Sequence, residues 1–187
     1  MKIGVLALQG DFFMHGQAVK RLGHDVLYIK DKNALEKCDK LIIPGGESTT
    51  FLRLIEKLKL RDALVEFGRG KGVLGTCAGL ITLASRVDGL PFPPLSMIDI
   101  KAQRNAYGRQ IDSFVDRVSL QLGTESFTFE GVFIRAPKII DLGKDVQALG
   151  WHKNDTVMAA NHHILVSAFH PELSDDLRVH DYFINHF

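Results

Sequence analysis

Cys77 stands in "GTCAG", residues 75–79, between two glycines and directly after an apolar run. G-x-C-x-G has the form of the G-x-S-x-G elbow, where small neighbours let a strand-to-helix turn close tightly and expose a nucleophile. Such a turn would present the sulfur and set it near a helix N-terminus, which favours thiolate. It would also aim the backbone N–H of Ala78 toward an oxyanion. The competing reading is a small hydrophobe buried in a turn, the usual fate of a lone cysteine. The only other cysteine, Cys38 in "LEKCDK", has no glycine context and reads as a loop or helix-end residue.

A thiol nucleophile needs a base, and there are eight histidines. His162 and His163 in "ANHHI" read as solvated turn residues. His15, His24, His152, His180 and His186 fall in helix-like or loop contexts without a partner at useful spacing. His170 differs, because it ends the apolar run "ILVSAF" and opens "HPEL". In an extended segment residues i and i+2 project to the same side, and Pro171 disfavours the α region for the residue before it. Glu172 then stands beside His170, where a carboxylate would orient the ring and stabilise imidazolium. "PGGEST" (44–49) adds a glycine turn opening a helix, which suits either anion binding or simple capping. "GRGKG" lacks the residues of a phosphate-binding loop, and no Cys/His pair shows metal-ligand spacing.

The elements that must position these residues alternate in the first half. "IGVLAL", "DVLYI", "KLIIP" and "GVLGT" read as short buried strands. Helical patterns fall between them over 15–22, 49–67 and 78–85. This rhythm predicts a parallel sheet with helices on both sides and ligands at the carboxyl ends of the strands, where both glycine turns fall. After the proline-rich "GLPFPPL", the pieces "SFVDRVSLQL", "SFTFEGVFI", "VQALGW", "TVMAA" and "ILVSAF" predict hairpins that extend the sheet antiparallel. A last helix is expected over 175–185. No repeat or low-complexity linker divides the 187 residues, so one domain over 1–187 is expected.

Lys and Arg total 23 against 22 Asp and Glu, a net charge of +1, so no basic excess points to nucleic acid. No apolar run approaches the ~18 residues of a membrane span. "MKIGVLALQGD" is broken too early by Gln9 and Asp11 for a signal peptide and reads as a first strand. Two cysteines make no disulfide framework, which points to a reducing, cytoplasmic setting.

Together these residues resemble the class I, or triad, glutamine amidotransferases. The blocks "LALQGD", "PGGESTT", "GTCAGLI", "QRNAYGRQIDSF", "GVFIRAP" and "FHPELSDDLRVHDYF" are similar, more narrowly, to the glutaminase subunits of pyridoxal 5′-phosphate synthases. The resemblance implies a three-layer, flavodoxin-like α/β fold with a mostly parallel central sheet extended by antiparallel strands. It implies that Cys77 attacks the side-chain amide of glutamine, with His170 as base, Glu172 holding the imidazole, and Gly46 with Ala78 forming the oxyanion hole. It carries Gly46, Glu47, Ser48, Arg104, Ile134 and Arg135 to the glutamine pocket, Glu47 facing the α-amino group and Arg104 the α-carboxylate. No cofactor or metal is implied. The implied partner is a (βα)8-barrel synthase subunit in a large hetero-oligomer, met through Gln9 and Gly10. Two positions depart from the family's pattern: Met14 where many relatives have Glu, and Val115 where an acidic residue is common. Rival readings are a glutaminase serving histidine or purine synthesis, a non-catalytic module on the same fold, and another cysteine hydrolase with a similar elbow.

Overall fold

Strand β1 (Lys2–Leu6) is buried along four of its five residues, and β3 (Lys40–Ile43), β4 (Val73–Thr76) and β12 (Ile164–Ser167) are buried almost throughout. Continuous apolar strands of this kind are covered on both faces and pair in parallel. They do so here in the order β2 (Asp25–Ile29), β1, β3, β4, β12. The computed structural model describes residues 1–106 and 113–187. The stretch "YGRQID" of the "QRNAYGRQIDSF" block therefore lies outside the described residues.

Between the parallel strands run α1 (Phe12–Arg21), α2 (Lys32–Leu35), α3 (Ser48–Lys57), α4 (Arg61–Gly70) and α5 (Ala78–Leu83). The helix expected over 49–67 is two helices. The chain turns at Lys59, whose φ of 55° lies in the left-handed region, and the buried Leu60 pins the turn inward. Apolar periodicity continues across the break, so pattern alone does not reveal it.

Beyond β12 the sheet continues antiparallel through β11 (Asp155–Ala160), β10 (Gln147–His152), β7 (Ser113–Leu122) and β8 (Glu125–Ile134). The hairpins are those expected, with one correction. "ILVS" is the junction, antiparallel to β11 and parallel to β4, rather than part of the extension. The β7–β8 hairpin closes through Gly123–Thr124, with Gly123 at φ 61°, the glycine conformation that two-residue hairpin turns require.

A second, smaller sheet was not foreseen. β5 (Ala84–Val87) pairs in parallel with β6 (Ile98–Gln103), which pairs antiparallel with β9 (Lys138–Leu142). The helix expected over 78–85 therefore ends at Leu83. A 3₁₀ turn, Pro171–Leu173, and α6 (Arg178–His186) complete the chain. No helix among the described residues is long and apolar enough to cross a membrane.

The order β1–β3–β4–β12 places four carboxyl ends side by side. The segments leaving them are Leu8–Asp11, Pro44–Glu47, Cys77 and Ala168–His170. The predicted chemistry converges on one edge because the strands bearing it are neighbours.

Candidate active site

Cys77 is the single residue between β4 and α5 and adopts φ 49°, ψ −100°. A non-glycine residue in such a region costs on the order of 1–3 kcal/mol and persists only when its surroundings fix it. Its N–H donates to the Ser167 carbonyl on β12 at 2.8 Å. The flanking glycines are required by close approach. A Cβ on Gly79 would lie 2.1 Å from the Ile43 carbonyl oxygen, and one on Gly75 would lie 2.8 Å from the Gly79 carbonyl. G-x-C-x-G is thus what lets α5 press against β3 and β4, and the strained cysteine is the consequence. The sulfur lies 3.7 Å from the Ile134 carbonyl at the end of β8. Cys38 instead is buried, its sulfur filling the space beside Gly4, and burial pushes its thiol up to about 11.

His170 follows β12 and is fixed by its N–H to the Val132 carbonyl at 2.8 Å. Its Nδ1 meets Glu172 Oε1 at 2.7 Å, both side chains being buried. The pair forms as predicted, but by a different local route. Residues 171–173 make a 3₁₀ turn rather than an extended segment, and the turn brings the carboxylate under the ring. Gly45 makes room on the other side, since a Cβ there would lie 2.3 Å from His170 Cε1. Burial pulls the His170 pKa down, but hydrogen bonding and charge from Cys77 and Glu172 overcome it and raise the group to about 10. Burial raises the Glu172 carboxyl, partly offset by His170. A base whose cationic form is supported on both sides suits proton transfer from a thiol.

Cys77 and His170 share a cavity of about 390 Å³ with Gly46, Glu47, Ser48, Arg104, Ile134 and Arg135. All six residues expected to hold substrate are therefore gathered beside the thiol, although Arg104 and Arg135 come from the ends of two separate strands. Glu47 has a second role. It caps α3, accepting from the Thr49 and Thr50 N–H groups at 2.9 and 2.7 Å and from Thr50 Oγ1 at 2.8 Å. Partial burial raises its carboxyl, and these hydrogen bonds outweigh that and lower it. Arg104 reaches Glu47 Oε1 at 3.4 Å and Thr49 Oγ1 at 3.3 Å.

Gln9 clasps the backbone of Glu47 from both sides. Its Nε2 donates to the Glu47 carbonyl at 3.1 Å, and its Oε1 accepts from the Glu47 N–H at 3.4 Å. Gly46, at φ 150°, leaves no room for a Cβ beside that amide. Gly10, at φ 82°, packs against the Gly45 carbonyl. Gln9, Gly10 and Ala78 do not line the cavity; Ala78 is buried behind the elbow.

Two residues were missed. Asp11 lines the cavity, and its N–H donates to the Gly45 carbonyl at 3.2 Å. His15 is fully buried, bonded to Thr76 and His180 and 3.3 Å from Glu172 Oε2. The available signal was a histidine inside the buried stripe of an amphipathic helix, beside Gly16, Ala18 and Val19. Asp11, His170 and Glu172 bring one donor atom each within 4.8 Å of one another. A metal there would compete with the His170–Glu172 bond, so the cluster reads as a base and its orienting carboxylate.

A strained cysteine facing a carboxylate-held histidine, at the carboxyl edge of an α/β sheet, defines a thiol-nucleophile site of the amidotransferase class. The chain belongs to the SNO glutamine amidotransferase family, which it matches over residues 5–187. It is 44% identical over 186 residues to the "Pyridoxal 5′-phosphate synthase subunit PdxT" of Thermosipho africanus, covering 99% of this chain and 98% of that one. The protein of the same description from Fervidobacterium nodosum is 45% identical over 185 residues, covering 98% and 96%. A solved structure described as a glutamine amidotransferase superposes with a TM-score of 0.90 at 41% identity, covering 97% of this chain and 96% of that one.

Proposed function

We propose that this chain is the glutaminase subunit of a pyridoxal 5′-phosphate synthase, hydrolysing L-glutamine to L-glutamate and ammonia for vitamin B6 biosynthesis. The observation that carries the proposal is the Cys77 elbow opening into the same cavity as the His170–Glu172 pair, with Glu47 and Arg104 at its mouth. Cys77 Sγ attacks the amide carbon of glutamine while His170 takes the thiol proton. The tetrahedral oxyanion is held by backbone N–H groups of Gly46 and Ala78. Collapse expels ammonia, which receives the proton from His170, and leaves a glutamyl thioester. Water, deprotonated by His170, then attacks the thioester, releasing glutamate and returning the proton to sulfur. Glu172 keeps the ring oriented throughout. Glu47 faces the α-amino group and Arg104 the α-carboxylate, with Ser48, Ile134 and Arg135 completing the pocket. No cofactor enters these steps.

The partner in this reading is a (βα)8-barrel synthase subunit in a large hetero-oligomer, docking at Gln9 and Gly10. Because Gln9 grips the peptide next to Gly46, a partner pressing on that turn would reset the oxyanion hole. Residues 1–187 act as one domain, and the thiol chemistry suits a cytoplasmic setting.

The test is pyridoxal 5′-phosphate formation by the barrel synthase from pentose phosphate and triose phosphate. With this chain present, glutamine should replace ammonium salt as nitrogen source. With Cys77→Ala, only ammonium salt should serve. Glutamine hydrolysis that never feeds this synthase would assign the chain to another amidotransferase.

A further inference from the structure

Behind the triad lies a polar chain that the steps above do not use. Glu172 Oε1 is committed to His170, while Oε2 is buried and makes no hydrogen bond among the described residues. One polar atom beside Oε2 is His15 Nε2, at 3.3 Å, on a fully buried ring. The same Nε2 lies 3.0 Å from Thr76 Oγ1, on the residue preceding Cys77. His15 Nδ1 lies 2.9 Å from His180 Nε2 on α6, also fully buried.

Proton counting selects one arrangement. A carboxylate oxygen only accepts, so a buried Oε2 is favoured by a proton-bearing nitrogen beside it and disfavoured by a lone pair there. Burial, and for His15 the neighbouring His180 and His170, lower both rings, so each is neutral and carries one ring proton. If His15 held its proton on Nδ1, its Nε2 lone pair would accept from the Thr76 hydroxyl and lie beside the carboxylate. His180 would then have to accept at Nε2, leaving its Nδ1–H as a buried donor with no partner. If His180 donates from Nε2 to His15 Nδ1, the His15 proton sits on Nε2 and points at Thr76 Oγ1, with Glu172 Oε2 3.3 Å from the same nitrogen. The Thr76 hydroxyl then accepts from Nε2–H and is free to rotate its own proton, and what remains unpaired among the described residues is the His180 Nδ1 lone pair, a smaller cost than a fixed orphan donor.

We infer that His15 is a positioning residue for the glutaminase reaction, its Nε2–H held by Thr76 Oγ1 and its Nε2 set 3.3 Å from Glu172 Oε2 in a tautomer fixed by His180. This rests on the functional reading above and extends it. The N–H end of the ring beside Oε2 favours the carboxylate rotated with Oε1 under His170, and the bond to Thr76 ties the ring to the elbow. The chain His180, His15, Glu172, His170, Cys77 links α6, α1, the 3₁₀ turn and the end of β4.

The test compares His15→Gln, whose amide nitrogen reaches about as far as Nε2, with His15→Asn, whose does not. Both are assayed at saturating glutamine in complex with the synthase. His15→Asn should lower kcat about 10-fold, the order expected when a buried charge loses a polar neighbour, with KM for glutamine unchanged. His15→Gln should recover kcat to within about three-fold of wild type. Iodoacetamide alkylation of Cys77 in the free chain needs neither partner nor glutamine, so it separates this inference from the functional reading. Less support for imidazolium means less thiolate, so alkylation should slow in His15→Asn and recover in His15→Gln. If His15→Asn does not fold, His180→Leu takes its place, with a several-fold fall in kcat expected at unchanged KM. Wild-type kcat and alkylation in folded His15→Asn or His180→Leu, or equal losses in Asn and Gln variants of unchanged melting temperature, would overturn the inference.

Discussion

At the scale of single residues, the site combines a strained nucleophile with a base whose protonated form is favoured. His170→Asn keeps a polar side chain but removes the proton acceptor, and should lower glutamine turnover by about 10² or more. Near-normal turnover would hand the role of base to another histidine. Glu47, which caps α3, is also proposed to recognise substrate, and two substitutions separate these roles. Glu47→Gln keeps an acceptor oxygen for the α3 N–H groups and should raise KM with little change in melting temperature. Glu47→Ala should raise KM and also cost about 0.5–2 kcal/mol of stability for the lost cap. Equal melting temperatures in the two variants would show that the cap is unimportant. That Cys77, His170 and Glu172 come together was legible in the sequence because each lies in a short local motif. His15 was not legible, because its partner His180 lies 165 residues away and only the fold joins them.

At the scale of elements, glycines decide how closely the pieces approach. In Gly79→Ala the new Cβ meets the Ile43 carbonyl, a backbone atom that cannot move without parting α5 from β3. Overpacking of this kind costs typically 1–3 kcal/mol, so the melting temperature should fall by several degrees. In Gly45→Ala the obstacle is the His170 ring itself. Turnover should therefore fall sharply while the melting temperature moves much less. A Gly45→Ala chain with full activity would contradict the fit between that loop and the base. The parallel strands were legible because burial on both faces writes continuous apolar runs. The α3–α4 break was not, because Lys59 enters the left-handed region without a glycine to mark it. Strand β6 was passed over although its burial alternates along "IDIKAQ", because it follows a proline-rich stretch and pairs only within the small sheet.

At the scale of the whole molecule, the strand order explains why residues from opposite ends of the chain share one cavity. The same convergence buries two neutral histidines and gives stability a pH dependence. His180 is lowered by burial to about 4, and His15 is also lowered. The unfolded chain, with histidines near 6.5, binds more protons than the folded one between these values. Their contribution is therefore whole above pH 6.5 and lost as pH falls toward 4. Glu172, raised by burial, acts in the opposite sense, so the clean comparison is with a variant lacking His180 alone. His180→Leu should show a shallower fall in melting temperature than wild type between pH 6.5 and 4; identical slopes would contradict a buried neutral His180.

The most direct test of the central claim, that Cys77 and His170 turn over glutamine, is glutamate and ammonia release by this chain alone and mixed with the barrel synthase, with Cys77→Ala alongside. The account predicts turnover that rises sharply on mixing and vanishes in Cys77→Ala while that variant still docks. Turnover that survives in Cys77→Ala, or no turnover from folded wild-type chain in the complex, would contradict it.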